Sequence, residues 1–328
     1  MTIKTFVLAA TLVCGFVASA QSAPQIHGTL RAAYDWEPSE GMSRFQVRNA
    51  RLSVEGSITD ALSYKVQTDF CDQGKIKILD AQASYAFAGK FTLTMGQTLV
   101  PGLVEGARAP HLLWFSSRSL ISKSCGPRRA VGAKLKYNFG PAYAEVGAFN
   151  AHPMADHNVW ERQMLYAGKL GTRLGDFNLE LGAESAYPDL VRITRLDAYV
   201  KWTSGRWRAE GEYMYSAYAH DAYKDSHAWF VSANYDLPLR LGNFSVLSFQ
   251  GRYDGMTDAS DGKANAAGLL KTTWERRNRL TLGSTISHIG PKGRCDFKIN
   301  YEWMFYPWGY VAPAGDRSKL IAEICVRF

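Results

Sequence analysis

Several things are missing from this 328-residue chain, and each absence removes a class of protein. Downstream of residue 20 no window holds 18 consecutive apolar residues, so no transmembrane helix can be drawn. No stretch keeps a 3.6-residue apolar period, which argues against a helical bundle. Five cysteines, one of them Cys14 in the leader region, are too few for a disulfide scaffold. There is no phosphate-cradling glycine loop, no G-x-S-x-G elbow and no nucleic-acid motif. The histidines do not assemble a site either: His288 follows Ser284 and Ser287 without an acid partner. His152, Asp156 and His157 fall in one gap and read as solvated loop residues, because structural metal sites carry four ligands at tight spacing. The sequence therefore predicts no catalytic residue, no cofactor, no metal and no nucleic-acid partner.

What is present begins with an address. Lys4, an apolar run from Phe6 to Val17, and then Ala18, Ser19 and Ala20 describe a secretory signal peptide over residues 1–20. The rest of the chain, 21–328, is expected to form one domain. Lys and Arg total 38 against 30 Asp and Glu, a moderate excess that suits anionic solutes without proving them.

The second feature is alternation. In the last ten residues Leu320, Ala322, Ile324, Val326 and Phe328 share one parity, and Lys319, Ile321, Glu323, Cys325 and Arg327 share the other. An extended strand places these sets on opposite faces, one apolar and one mostly polar. The same pattern recurs from Ile26 to Phe305 in segments of about ten residues, as expected for membrane-spanning strands. A phase change between Val47 and Ala50 predicts a bulge near Arg48. Tyr and Trp gather near segment ends on the apolar parity, where the interfacial girdles of a membrane barrel lie.

A barrel with both termini in the periplasm needs an even strand count. Assigning 264–274 to a long outer loop spanning 255–278 gives 16. Short connections such as 59–62, 88–90, 140–141 and 290–294 then face the periplasm. The longer gaps 98–130, 151–162, 216–226, 255–278 and 306–318 face outward. The expected fold is thus an all-β, 16-stranded transmembrane antiparallel barrel, with Phe328 as a feature read by the barrel-assembly machinery.

Sixteen strands leave an aqueous lumen. Inward positions include Arg31, Arg51, Lys65, Lys134, Lys136, Arg195 and Lys201, interleaved with Asp69, Asp80, Glu145, Glu180, Asp197 and Glu210. These cations form either a ladder that hands anions along by weak contacts or a set of ion pairs that ties strands together. The 98–130 segment carries Arg108, His111, Arg118, Lys123, Arg128 and Arg129 against one acid, Glu105. It also holds Leu112, Leu113, Trp114 and Phe115, which a solvated loop rarely keeps. Folded inward, it would set a basic constriction packed on the inner wall; left outside, it would make subunit contacts.

At these residues a resemblance emerges. The run RNARLSVEGSITDALSYKVQTDF (48–70), then LDAQASYAF (79–87), then LTMGQTLVP (93–101) with RSL at 118–120, resembles the phosphate-selective porin O and P family. INYEWMFYP (299–307) and KLIAEICVRF (319–328) resemble the closing strands of its Bacteroidetes-type members. The resemblance implies an outer-membrane channel, commonly a homotrimer, that passes small anions such as phosphate. It departs from the family in lacking a dense lysine cluster in the long loop. A non-conducting scaffold or adhesin, and a barrel hydrolase, are the alternative functions.

Overall fold

The computed structural model describes residues 23–72, 75–125, 129–151, 160 and 162–328. The signal-peptide region, Arg128, and His152, Asp156 and His157 lie outside the described residues. No helix among the described residues is long and apolar enough to cross a membrane. Instead, 16 strands close into one antiparallel barrel, each paired with its sequence neighbours and β1 paired with β16. They are β1 (Gln25–Glu37), β2 (Met42–Ser57), β3 (Leu62–Asp72), β4 (Lys75–Phe87), β5 (Phe91–Leu99), β6 (Arg129–Phe139), β7 (Ala142–Phe149) and β8 (Leu165–Leu174). The second half comprises β9 (Phe177–Ala186), β10 (Ile193–Ser204), β11 (Trp207–Tyr218), β12 (Ser226–Leu241), β13 (Phe244–Met256), β14 (Arg277–Gly290), β15 (Gly293–Phe305) and β16 (Lys319–Arg327). Closure leaves no unpaired edge, which is the condition for a sheet to sit in lipid.

Alternation is realised as read. Leu30, Leu196, Val231, Leu282 and Ile299 face outward and exposed, while Arg31, Arg195, Ser232, Thr281 and Asn300 face inward and buried. Outward aromatic pairs mark two girdles: Phe91 stacks on Tyr137 and Trp207 leans on Tyr235 near the short turns. Tyr34–Phe45 and Tyr301–Trp303 mark the other end.

Bulges adjust the first sheet quarter. Between Arg31 and Ala32 of β1 the pairing on β2 jumps from Asn49 to Val47, which leaves Arg48 unpaired as the sequence phase predicts. The extra residue turns both Arg48 and Asn49 into the lumen, where Arg48 bonds Asp35 and Asn49 bonds Asp69. A second jump on β4 leaves Leu79 unpaired between Ile78 and Asp80, a bulge the sequence did not announce. Gln97 answers it, donating its amide to the carbonyls of Ile78 (2.6 Å) and Leu79 (2.9 Å). Gly96 beside it has φ +117, and a Cβ there would lie 2.2 Å from the Ala81 carbonyl. This gives the G-Q-x-x-V-P motif its physical sense: the glycine permits the bend and the glutamine satisfies carbonyls exposed by the bulge.

The inward face of β7 is Tyr143, Glu145, Gly147 and Phe149, with one charge among them. Phe149 points inward over Gly132 and Gly147, where any Cβ would strike its ring, and packs with Val100, Leu165, Ala167 and Ala186. The long segment is shorter than the expected 98–130. Thr98 and Leu99 belong to β5, and Arg129 and Ala130 to β6.

The seam is closed by main-chain bonds between Gly28 and Phe328 (2.8 and 3.1 Å), with the Phe328 ring lying over Gly28. A Cβ on Gly28 would fall 2.1 Å from that ring. Replacing Gly28 by Leu should swing the ring off the seam and cost about 1–3 kcal/mol. The check is the urea midpoint of the refolded barrel, which should fall for Gly28→Leu and stay near wild type for Gly168→Leu, where a Cβ meets nothing closer than 3.5 Å.

Candidate functional site

The segment between β5 and β6 lies inside the barrel. It contains two short helices, Val104–Ala107 and Leu120–Cys125, and a 3₁₀ turn at Pro110–Leu112. Such a segment carries peptide groups into a partly dry interior, so each needs a partner. The wall supplies them. On β11, Glu212 accepts the amides of Val104 (2.5 Å) and Glu105 (3.2 Å). On β15, Asn300 accepts the amide of Ser116 (2.7 Å) and Lys298 donates to the Leu113 carbonyl (2.7 Å). On β13, Asp254 accepts the amide of Leu120 (2.7 Å). Arg31, Arg252 and Arg279 donate to the carbonyls of Ser116, Ser117 and Arg118 at 2.6, 3.0 and 2.6 Å.

Apolar contacts finish the docking. Leu120 and Ile121 are fully buried against Tyr199, Met214, Phe230 and Met256, four inward residues of β10 to β13. Trp114 and Phe115 lie under the guanidinium groups of Arg208 (5.2 Å) and Arg252 (4.6 Å). The single acid of the segment, Glu105, serves the segment itself: its carboxylate accepts from the Ser119 amide, the Ser119 hydroxyl and the Ser122 hydroxyl.

Packed this way, the segment fills the half of the lumen bounded by β10 to β16 and β1. Arg252, Arg279, Lys298, Asp254, Glu302 and Glu323 are buried there. Most of the charged inward residues on β2 to β8 stay half-exposed along the remaining passage.

The predicted cations divide accordingly. Arg31 is buried in a bidentate pair with Glu323 across the seam. Arg51 pairs with Asp69 (2.8 Å), Lys65 with Glu55 (3.2 Å), and Lys134 with Glu145 (2.8 Å). Arg129 pairs with Asp80 (2.8 Å) and Arg195 with Glu184 (2.7 Å). Arg108 is held by both oxygens of Glu210 and by the Tyr199 hydroxyl; although burial opposes its charge, this bonding raises its pKa further. Lys123, at the outer mouth, lies 3.5 Å from Asp316. Lys136 sits 4.6 Å over the Tyr143 ring. Arg118 donates to the carbonyls of Glu105 (2.5 Å) and Arg108 (2.6 Å). Lys201 makes no ion pair among the described residues. The structure therefore gathers Arg108, Arg118, Lys136 and Lys201 as cations beside the passage, and among the described residues only Arg108 of these has a carboxylate within 4 Å.

Sequence reasoning missed the residues that fasten the segment: Asp254, Arg279, Glu302, Glu212 and Asn300. Their inward parity was legible, but nothing in one sequence names their partners more than 80 positions away. On β10, Asp197 is buried against Gly182, makes no ion pair among the described residues and leaves one carboxylate oxygen without a hydrogen bond.

A model of the family described as phosphate-selective porin O and P matches residues 30–192. Over this span the chain belongs to that family. No curated protein matches the sequence. Among solved structures the porin resembles in-vitro folded OmpT of Vibrio cholerae, in its trimer form, at 13% identity and TM-score 0.62, covering 93% of this chain and 98% of that one. It resembles an anion-selective porin from Comamonas acidovorans at 13% identity and TM-score 0.61, with the same coverage. OmpF of Salmonella typhi, in complex with daunomycin, follows at 11% identity and TM-score 0.58, covering 93% of this chain and 97% of that one. At such identities the likeness is one of fold. Family and fold together place the porin in the bacterial outer membrane.

Two outcomes are expected of the segment. Asp254→Asn leaves the buried Arg279 short of a counter-charge and weakens the anchor of Leu120, a loss of about 3–5 kcal/mol for a broken buried pair. Single-channel recording should then show a larger and noisier conductance as the segment loosens; an unchanged trace would contradict the anchoring role. The second outcome concerns pH. Burial, with Arg327 and Lys298 nearby, lowers the His111 pKa to about 4, so this ring is neutral above pH 5. Burial, helped by Arg279 and Lys319, lowers the Lys123 pKa to about 8. Any charge selectivity should shift away from anions as pH rises through about 8, where Lys123 gives up its proton. Reversal potentials of Lys123→Met should lack that shift.

Proposed function

We propose that this porin conducts small solutes passively across the outer membrane with a preference for anions, phosphate among them. The observation that carries this reading is the set of cations beside the passage with no ion pair among the described residues: Arg118, which donates to carbonyls, Lys136 over Tyr143, and Lys201. A pore needs such contacts to be weak and repeated, so that an ion enters and also leaves. The family described as phosphate-selective and the anion-selective porin from Comamonas acidovorans support the same sign of preference. Against strict phosphate specificity stand the ion pairs on Arg51, Lys65, Lys134 and Arg195, which leave no continuous ladder of free cations. The passage is read as a channel and not as an active site, because the carboxylates along it, Asp197 apart, are spent on salt bridges and backbone amides.

The proposal extends to assembly. The trimer form of the Vibrio cholerae protein supports a homotrimer for this chain, with outer-membrane lipid around it. Its outer face carries a groove of small and aromatic residues, Ala32, Tyr34, Phe45, Ala322 and Ile324, beside the seam. The exposed ring of Phe328 is our proposed contact for the barrel-assembly machinery.

The test is the reversal potential in planar bilayers under a salt gradient, with phosphate added stepwise. Wild-type porin should be anion-preferring and its chloride current reduced by phosphate. Neutralising Arg118, Lys136 and Lys201 to Gln should lower the anion preference by about a factor of two for each charge, as expected for partly screened groups worth ~0.5 kcal/mol. Absence of any conductance would sink the channel reading and favour a scaffold.

A further inference from the structure

The docked segment is tied unevenly along its length. Arg108 is held by Glu210 (2.9 and 2.7 Å), and from Leu113 onward the wall grips repeatedly, beginning with Lys298 on the Leu113 carbonyl (2.7 Å). The turn between them, residues 109–112, makes one hydrogen bond to the wall among the described residues. His111 Nδ1 shares it with the Thr29 hydroxyl of β1 (2.9 Å). The other bonds are internal: the Leu112 amide donates to Ala109 (2.9 Å) and the Leu113 amide to Pro110 (3.3 Å). Leu112 itself is half-exposed.

This thinly tied turn carries a titratable ring set among cations. Facing His111 are Arg51 of β2, Lys298 of β15 and Arg327 of β16, against Asp296 of β15. Arg208 of β11 and Arg294 of β15 line the same recess, a cavity of about 100 Å³. From β13 and β14 come Ser248, Gln250 and Thr285, which carry no charge. Asp296 is itself taken by Arg294 (2.6 Å) and by the Ser287 hydroxyl (2.6 Å). A proton on His111 would therefore sit among like charges, in a recess with room for only a few waters. Swung away from the wall, the same ring is hydrated and its charge costs little.

Docking thus selects the neutral ring. Burial, then Arg327, Lys298 and Arg51, bring the docked value down to about 4 from an ordinary 6.5. A docked value below the free one means that docking is strongest above pH 6.5 and weakens as pH falls toward 4. Because the ring is only half-buried, the loss is at most about tenfold per pH unit.

We propose that residues 109–112 form an acid-released flap inside the barrel. Protonated His111 leaves the wall, the turn swings into the lumen between its fixed ends at Arg108 and Leu113, and the recess holding Arg294 and Arg327 opens to the passage. At neutral pH the flap stays shut. Its release depends neither on anion preference nor on whether the barrel conducts.

Hydrogen exchange read by mass spectrometry on the full chain folded in detergent tests this. The reporter is the Leu113 amide, whose acceptor Pro110 lies in the flap; the reference is the Leu120 amide, bonded to Asp254 outside it. His111→Asn keeps a polar atom near Thr29 and removes the titrating ring. At pH 7.5 Leu113 should exchange alike in the two chains. At pH 4.5 it should exchange about tenfold faster in wild type than in His111→Asn, with Leu120 the same in both. Equal Leu113 exchange at pH 4.5 overturns the proposal. So does a parallel difference at Leu120, since that describes undocking of the whole segment.

Discussion

A peptide segment folded into a barrel must have its amides and carbonyls met by the barrel wall, and much else in this porin follows from that constraint. Between Val104 and Leu120 the amides go to Glu212, Asn300 and Asp254, and the carbonyls to Lys298, Arg31, Arg48, Arg252 and Arg279. An ion buried for this purpose pays several kcal/mol in lost hydration, which only an opposite charge nearby can offset. That explains the clustering on β13 to β16. Arg279 lies between Asp254 (2.6 Å) and Glu302 (3.3 Å), and Glu323 is shared by Arg31, Arg48 and Lys298. These charges hold a backbone in place, and the current they carry is none.

The same constraint separates two populations of inward charge that look alike in sequence. Where the segment docks, cations are saturated by carbonyls and carboxylates and are shut away from water. Along β2 to β8 the wall is wet, and its pairs, such as Lys65–Glu55 and Lys134–Glu145, are partly exposed and individually weak. The proposed anion preference therefore rests on the few cations left over. A count of basic residues overstates that remainder severalfold, because it cannot subtract the partners.

The fold was legible almost entirely, since alternation is a local signal and lipid rewards it on every strand. Leu320 to Phe328, Tyr64 to Phe70 and Phe297 to Phe305 each declared their faces without reference to any neighbour. Even the Arg48 bulge was visible, as a slip of phase between Val47 and Ala50. The Leu79 bulge was not, because Ile78 and Leu79 are both apolar and a slip between like residues leaves no mark. The site was legible only by address. Arg108, Arg118 and Lys123 were placed in the right segment, but their partners Glu210, the backbone carbonyls and Asp316 are set by a docking path no local pattern encodes. The apolar landing patch, Tyr199, Met214, Phe230 and Met256, breaks the polar inward parity of four strands at one height. Those exceptions were the available clue to where the segment lands.

The point at which the segment is tied has a kinetic meaning. Ser116 is gripped at once by Arg31 of β1, Arg48 of β2 and Asn300 of β15, strands on both sides of the seam. Pairing β1 with β16 joins positions about 290 apart in the chain and is the contact with the greatest loop-closure entropy in the molecule. A sheet still open there offers Ser116 only part of its clasp. Narrowing of the lumen is therefore coupled to closure of the barrel, because the full clasp on Ser116 exists only when β1 meets β16.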